Sequence, residues 1–140
     1  MGSTLSVCKK CGTLNKVTLE KAKSQDAVCG KCGSSLEMHG AVTEVNDRDF
    51  WRILSKADKP VVVDFWASWC GPCKVYGPIF QEASLKTDKA IFLKVSTESN
   101  QQLAQKLGIQ GIPATIVFDK GKEIRRQAGV LPVEALISMF

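Results

Sequence analysis

Six cysteines fall into three Cys-x-x-Cys pairs, and no other feature restricts the possible folds as sharply. Cys8 and Cys11 are separated from Cys29 and Cys32 by 17 residues, inside the roughly 15–20-residue gap between the knuckles of structural zinc sites. Each two-residue loop turns tightly enough to aim both sulfurs at one ion, and the intervening segment brings the second pair back to close a tetrahedron. Cys8, Cys11, Cys29 and Cys32 are therefore the expected ligands of one structural zinc ion per chain, with two disulfides or idle thiols as the alternative. Four protein ligands leave no open coordination position, so such a site holds structure and performs no chemistry. Gly12, Gly30 and Gly33 lie within or just after the knuckles, where a residue tolerant of positive φ relieves the turn. His39, the single histidine, lies too far from Cys32 for this spacing and is expected to be a linker residue. Residues 1–40 can bury too little surface to fold unaided, so metal binding would supply much of their folding free energy.

Charge is uneven along the chain. Residues 1–40 carry a formal +3 of the total +5. A basic arm of this kind suits either nucleic acid or a negatively charged metal-thiolate centre that its lysines offset. The absence of arginine from the arm, and of any aromatic residue before Phe50 to stack a base, favours the metal. The start, MGSTLSVCKKCG, has no apolar run that could act as a signal segment, and no stretch approaches the length needed to span a bilayer. The expected location is the cytoplasm, with no membrane partner, where thiols stay reduced unless they are catalytic.

From Ala41 onward the pattern is that of an α/β protein. Val42–Val45 alternates like a short strand, Asn46 is placed to cap a helix over 47–56, and Val61–Trp66 is a β-branched run suited to a buried parallel strand. A helix interrupted by Pro78 follows, then a strand over 90–95, a helix over 98–107, and strands over 114–118 and 123–127 joined by a turn at 119–121. Val133, Leu136, Ile137 and Phe140 predict a last amphipathic helix. Strands alternating with helices imply a largely parallel sheet, and the close-coupled last two strands add antiparallel pairing at one side.

The third cysteine pair has no further cysteines near it in sequence. It follows a buried strand and opens a helix. There Cys70 would sit at a helix N-terminus, where free N–H groups and the helix dipole stabilise a thiolate. Pro72 fits the first turn because its missing N–H would have had no helical partner. Cys73, one turn on, is expected to be less exposed, which predicts an outer nucleophile and an inner resolving thiol.

The stretch VVVDFWASWCGPCK, with Lys94-Val95, GIQGIPATIVF and the later Ala128-Gly129-Val130, resembles the thioredoxin family over residues 42–140. The cysteine-rich arm before it makes the chain similar to the bacterial thioredoxin 2 branch of that family. The resemblance implies a thioredoxin fold over residues 41–140, with a central mixed β-sheet flanked by helices, preceded by a small zinc-ribbon-like domain over residues 1–40. It implies a protein-disulfide reductase in which Cys70 attacks a substrate disulfide and Cys73 then attacks Cys70 to release the reduced substrate. Asp64 would be the buried carboxylate that helps deprotonate Cys73 through water, and Lys94 would moderate its charge. Pro113 would be a cis-proline facing the sulfurs, with the Ile112 backbone pairing to the substrate. Trp69, Gly71, Pro72, Gly111 and Gly129 would complete the docking surface. Implied partners are disulfide-containing proteins and a separate NADPH-dependent thioredoxin reductase; the chain has no dinucleotide fingerprint of its own and is expected to be a monomer without an organic cofactor.

The residue types bear on these roles to different degrees. A carboxyl inside Val-Val-Val-Asp-Phe-Trp is costly to bury without a partner, which favours a functional base over a satisfied core residue. Lys94 reads equally well as strand-end solvation. Trp66 shares the strand parity of Asp64 and is expected to pack, whereas Trp69 falls in the loop and is expected to be exposed. Ser96-Thr97-Glu98 departs from the Asn-Val-Asp found in many relatives and is expected to affect rate and partner choice only. Two other readings remain: a zinc-ribbon module that uses the larger domain as a scaffold for protein or nucleic acid, and an arm whose zinc thiolates respond to oxidants.

Overall fold

The computed structural model describes residues 2–140, and Met1 of the arm lies outside the described residues. The chain starts as an antiparallel hairpin of β1 (Ser3–Val7) and β2 (Leu14–Thr18), in register from Ser3 opposite Thr18 to Val7 opposite Leu14. Thr18 then caps α1 (Leu19–Ser24), its hydroxyl accepting the Lys21 N–H at 3.2 Å. Next come β3 (Val42–Glu44), α2 (Asp47–Lys56), β4 (Val61–Trp66), α3 (Gly71–Lys86), β5 (Ile91–Ser96), α4 (Gln101–Lys106), β6 (Ala114–Asp119), β7 (Lys122–Ala128) and α5 (Val133–Ile137). The second sheet has the order β3-β5-β4-β6-β7; β3, β5 and β4 are parallel, and β6 runs antiparallel to both of its neighbours, β4 and β7.

Strand parity sorts the side chains to two faces. Val61, Val63 and Phe65 of β4 join Ile91, Leu93 and Val95 of β5 against α2, around the edge-to-face pair Phe50 and Phe118. Val62 and Phe92 point the other way, onto Tyr76, Phe80 and Ala83 of α3 and Leu136 of α5. Each such fully buried aliphatic or Phe side chain contributes about 1.5–3 kcal/mol of transfer free energy. The same alternation places Asp64, Trp66 and Lys94 on the α3 face.

Four local expectations change. Helix α3 runs through Pro78 without ending; the preceding residue is Gly77, which has no Cβ to meet the proline ring. Helix α4 begins at Gln101, not residue 98, because the chain first turns where the Ser96 hydroxyl accepts the Ser99 N–H at 3.2 Å. The last helix stops at Ile137, although Phe140 still packs edge-on against Phe92. Gly12 and Gly33 adopt φ of 79° and 78°, but Gly30 does not; its N–H instead donates to the Asn15 side chain at 2.9 Å.

The arm is fastened to the sheet at several points. Leu5, Val7 and Leu14 extend the cluster around Phe50, and the Thr43 hydroxyl of β3 donates to the Leu5 carbonyl. Lys59 donates to the carbonyls of Ser3 and Asp88. At the joint, His39 and Val42 exchange backbone hydrogen bonds at 3.0 Å, and the Ala41 N–H reaches the Ser84 hydroxyl of α3. Gly40 between them has φ of 63°, and a Cβ there would lie 2.8 Å from the Gln81 side chain, so only glycine fits. Strand β7, at the opposite edge, is exposed along its whole length and carries Lys122, Arg125 and Arg126.

Candidate active site and metal centre

Cys70 is the N-cap of α3 and is joined to Cys73 by a disulfide. Its sulfur accepts the Cys73 N–H at 3.2 Å, with Gly71 and Pro72 in the first turn between them. Exposure does not distinguish the two sulfurs as the sequence suggested: Cys70 is 4% and Cys73 5% exposed. Their surroundings do. Cys70 receives the helix N–H and lies 3.7 Å from the Ile112 carbonyl oxygen, whereas Cys73 lines a cavity beneath the helix.

The loop before β6 closes over the disulfide. The Ile112–Pro113 peptide is cis, and the Gly129 N–H donates to the Pro113 carbonyl at 2.8 Å, holding the 129–130 segment beside it. Gly129 has φ of 93°, a conformation that favours glycine. Gly111 is exposed, Ile112 is half-buried and packs with the cysteines, and Trp69 projects with 72% of its surface exposed. On the other side, the Glu98 carboxylate accepts the Ser68 N–H at 2.7 Å, which pulls its pKa below the usual range, and the Thr97 hydroxyl bonds the Trp66 carbonyl. The Ser96–Glu98 departure thus latches the loop that carries Trp69.

The cavity below has a volume of about 390 Å³ and is lined by Asp64, Trp66, Cys73 and Lys94 among others. Asp64 is 1% exposed. Burial pushes its carboxyl up to about 7, against the pull of the Lys94 ammonium. Lys94 is the register partner of Asp64, yet no ion pair joins them among the described residues; the ammonium stands 4.4 Å from the centre of the Trp66 ring. A cation held over an indole is attracted by the ring and leaves the carboxylate only partly compensated. Asp64 Oδ1 and Trp66 Nε1 have no hydrogen-bond partner. Two orphan polar atoms in a space with room for several waters mark a hydrated chamber. Trp66 therefore lines this chamber in addition to packing.

The four arm sulfurs lie within 4.8 Å of one another, with Cys8 to Cys32 and Cys11 to Cys29 both at 3.6 Å. Sulfurs about 2.3 Å from a central ion make a tetrahedron with edges of about 3.8 Å, so the spacing fits a metal. The two knuckles repeat one hydrogen-bond plan. Gly12 bonds the Cys8 carbonyl as Gly33 bonds that of Cys29, and Cys8 and Cys29 bond the carbonyls of Thr13 and Ser34. Backbone N–H groups, Cys32 first, hold the Cys29 thiol down to about 6, which favours the thiolate that a metal requires. Cys8 and Cys29 are buried, Cys11 and Cys32 exposed.

The thioredoxin family model matches residues 41–140. The chain belongs to the thioredoxin family. Thioredoxin C-3 of Corynebacterium nephridii is 34% identical over 125 residues, 89% of this chain and 85% of that protein. That stretch is longer than the family match, so part of the arm lies within it. The bifunctional thioredoxin reductase/thioredoxin of Mycobacterium leprae is 35% identical over 99 residues, 70% of this chain but 22% of its own length. Among solved structures, Malassezia sympodialis thioredoxin superposes with a TM-score of 0.65 at 35% identity, covering 71% of this chain and 90% of that one. Within the thioredoxin fold the Cys70–Cys73 pair is the redox centre of a thiol-disulfide oxidoreductase. Among the described residues no helix is long and apolar enough to cross a membrane. Two residues at this thioredoxin site were missed from sequence: Glu98, which latches the loop, and His39, which lines the cavity with Asp64 and Cys73.

Proposed function

We propose that this thioredoxin reduces disulfides of protein substrates by a two-step exchange. The Cys70 thiolate attacks one sulfur of the substrate disulfide; a Cys70–substrate bond forms, the substrate bond breaks and one substrate thiolate leaves. Cys73 then gives its proton to Asp64 through the hydrated cavity and attacks Cys70. The second substrate thiolate leaves and takes up a proton, and two electrons have passed from the dithiol to the substrate. Lys94 moderates the charge on Asp64 across the chamber. Pro113 keeps the loop against the sulfurs, Ile112 offers its backbone to the bound chain, and Trp69, Gly71, Pro72, Gly111 and Gly129 form the rim on which it rests.

The observation that carries this reading is a Cys-x-x-Cys disulfide at a helix N-terminus above a chamber holding a buried carboxyl with a pKa near 7. The Gly71-Pro72 insert belongs to the reducing type, so the dithiol couple should equilibrate near the thioredoxin potential of about −270 mV. Equilibration with glutathione or dithiothreitol mixtures reads this directly. A value near −120 mV, that of a strong oxidant, would reverse the direction of the reaction and sink the reductase assignment. Re-reduction by a separate NADPH-dependent thioredoxin reductase is supported by the Mycobacterium leprae relative, whose name joins both activities in one chain. A cytoplasmic monomer fits this role.

The arm belongs to the same proposal. On this reading Cys8, Cys11, Cys29 and Cys32 hold one structural zinc, as in the thioredoxin 2 branch, with a zinc-binding arm over residues 1–40 and a thioredoxin domain over 41–140; the close cluster of the four sulfurs supports it. When bound, the metal supplies a cross-link between the two knuckles and nothing to the exchange. Emission spectroscopy should find one zinc per chain, and its removal by a chelator should disorder the arm while the five-stranded sheet persists. The exposed Cys11 and Cys32 give oxidants access, so mild peroxide is expected to release zinc as those thiols oxidise. Inactivation by peroxide with zinc retained would refute an oxidant-responsive arm.

A further inference from the structure

The chamber that holds Asp64 and Cys73 is walled on one side by a residue of the arm. His39 lines the same cavity as Asp64 and Cys73 and is itself exposed, so the residue stands where the chamber meets solvent. It stands at residue 39, just outside the 41–140 stretch that matches the family model, so the fold shared with other thioredoxins does not supply it. Its place is well determined: the paired hydrogen bonds between His39 and Val42, the Gly40 turn against Gln81 and the Ala41 bond to Ser84 fix it to α3.

We infer that His39 relays the proton between the Asp64 carboxyl and solvent during the resolving step. This role rests on the disulfide-reductase reading above. When Cys73 attacks Cys70, the proton it gave to Asp64 must leave a carboxyl that is 1% exposed. The titratable side chains that line the cavity with Asp64 are Cys73 and Lys74 from α3, Lys94 from β5 and His39 from the arm; Tyr76 of α3 also feels the Asp64 charge, with its hydroxyl already engaged with Thr115 at 2.7 Å. A lysine ammonium at neutral pH carries its full complement of protons and cannot accept another, and a phenol is a poor acceptor in the same range. Among them only an imidazole can take up a proton on one ring nitrogen while releasing one from the other, and His39 is the exposed residue of that kind lining the cavity. The transfer leaves no net charge behind: Asp64 returns to carboxylate, one proton passes to His39, and His39 loses one to solvent. His39 acts through Asp64 and touches neither sulfur nor substrate, so it is a positioning and relay group.

The test is stopped-flow oxidation of the fully reduced, zinc-loaded chain by a peptide disulfide, followed by tryptophan fluorescence from pH 5.5 to 8.5 in weak buffer. His39→Gln is expected to slow resolution about 5-fold near pH 7, well short of the effect of a direct acid-base group. Added imidazole should restore the rate, and in an Asp64→Asn background His39→Gln should have no further effect. A rate in His39→Gln equal to that of the unsubstituted chain overturns the relay, as does a slowed rate that imidazole leaves unchanged, which would make His39 merely structural. Failure of the unsubstituted protein to be oxidised by the peptide at all would instead sink the reductase reading itself.

Discussion

Cys70→Ser is expected to lower insulin-disulfide reduction more than about 1,000-fold, because in the proposed exchange it removes the group that forms the covalent intermediate. Cys73→Ser should behave differently. The first exchange still runs, but no internal thiol remains to release the substrate, so a mixed disulfide on Cys70 should accumulate and be visible as a mass increase reversed by dithiothreitol. The contrast follows from the site: Cys70 meets the Ile112 loop and receives the helix N–H, while Cys73 faces the chamber with Asp64. Residual activity in Cys70→Ser near that of the unsubstituted chain would favour the zinc-ribbon module reading. In that case partner binding should survive the substitution and, for nucleic acid, weaken steeply with salt.

The second large effect is expected from Asp64→Asn, in opposite directions for stability and activity. The carboxyl titrates near 7 when folded and near 3.8 when free. Between those values the folded chain keeps a proton that the unfolded chain has released, so stability of the oxidised protein falls as pH rises through the window and levels off above about 7. Three units at about 1.36 kcal/mol each give roughly 4 kcal/mol. Asparagine abolishes this loss, so the variant should gain up to about 4 kcal/mol on the unsubstituted chain at pH 8 and no advantage from this source at pH 3.5. The buried amide offsets part of the gain by about 1–3 kcal/mol, and the pH dependence of the difference is the cleaner reading. Resolution should slow about 10- to 100-fold near neutrality and recover at high pH, where Cys73 ionises without a base. Urea unfolding at both pH values, with turnover beside it, checks both halves. Parallel pH profiles for the two proteins would show that Asp64 does not carry the raised pKa.

Much of this architecture is legible along the chain where the signal is local. Val61–Trp66 is a strand with the bounds its β-branched run suggests, since burial on both faces leaves little choice of register. Period-two alternation also puts Asp64 on the face that α3 covers. The spacing of the arm cysteines groups sulfurs that do lie together. What the sequence hid depends on chain returning from far away. The β1–β2 hairpin is short and polar on one side, so its pairing carries little periodic signal. Glu98 matters because Ser68, 30 residues earlier, lies opposite its carboxylate. His39 read as a linker because nothing in sequence shows that the joint folds back onto α3 beside the chamber. The equal burial of Cys70 and Cys73 is likewise tertiary: the Ile112 loop covers the first sulfur as thoroughly as the helix covers the second.

The placement of the arm also bears on how copies of this protein meet. Every open sheet has two edges whose unpaired amides and carbonyls can template another strand. Here the β3 edge lies against the β1 hairpin, joined to it through Thr43 and Leu5, while the β7 edge presents Lys122, Arg125 and Arg126. One border is fenced, and the other carries a net positive charge, Lys122, Arg125 and Arg126 against the Glu123 that pairs with Arg126, which repels its equivalent in a second molecule. In a concentrated solution of this reductase one border is therefore covered and the other charged against its own kind, and the hairpin that covers the first is part of the same arm that carries the four clustered cysteines.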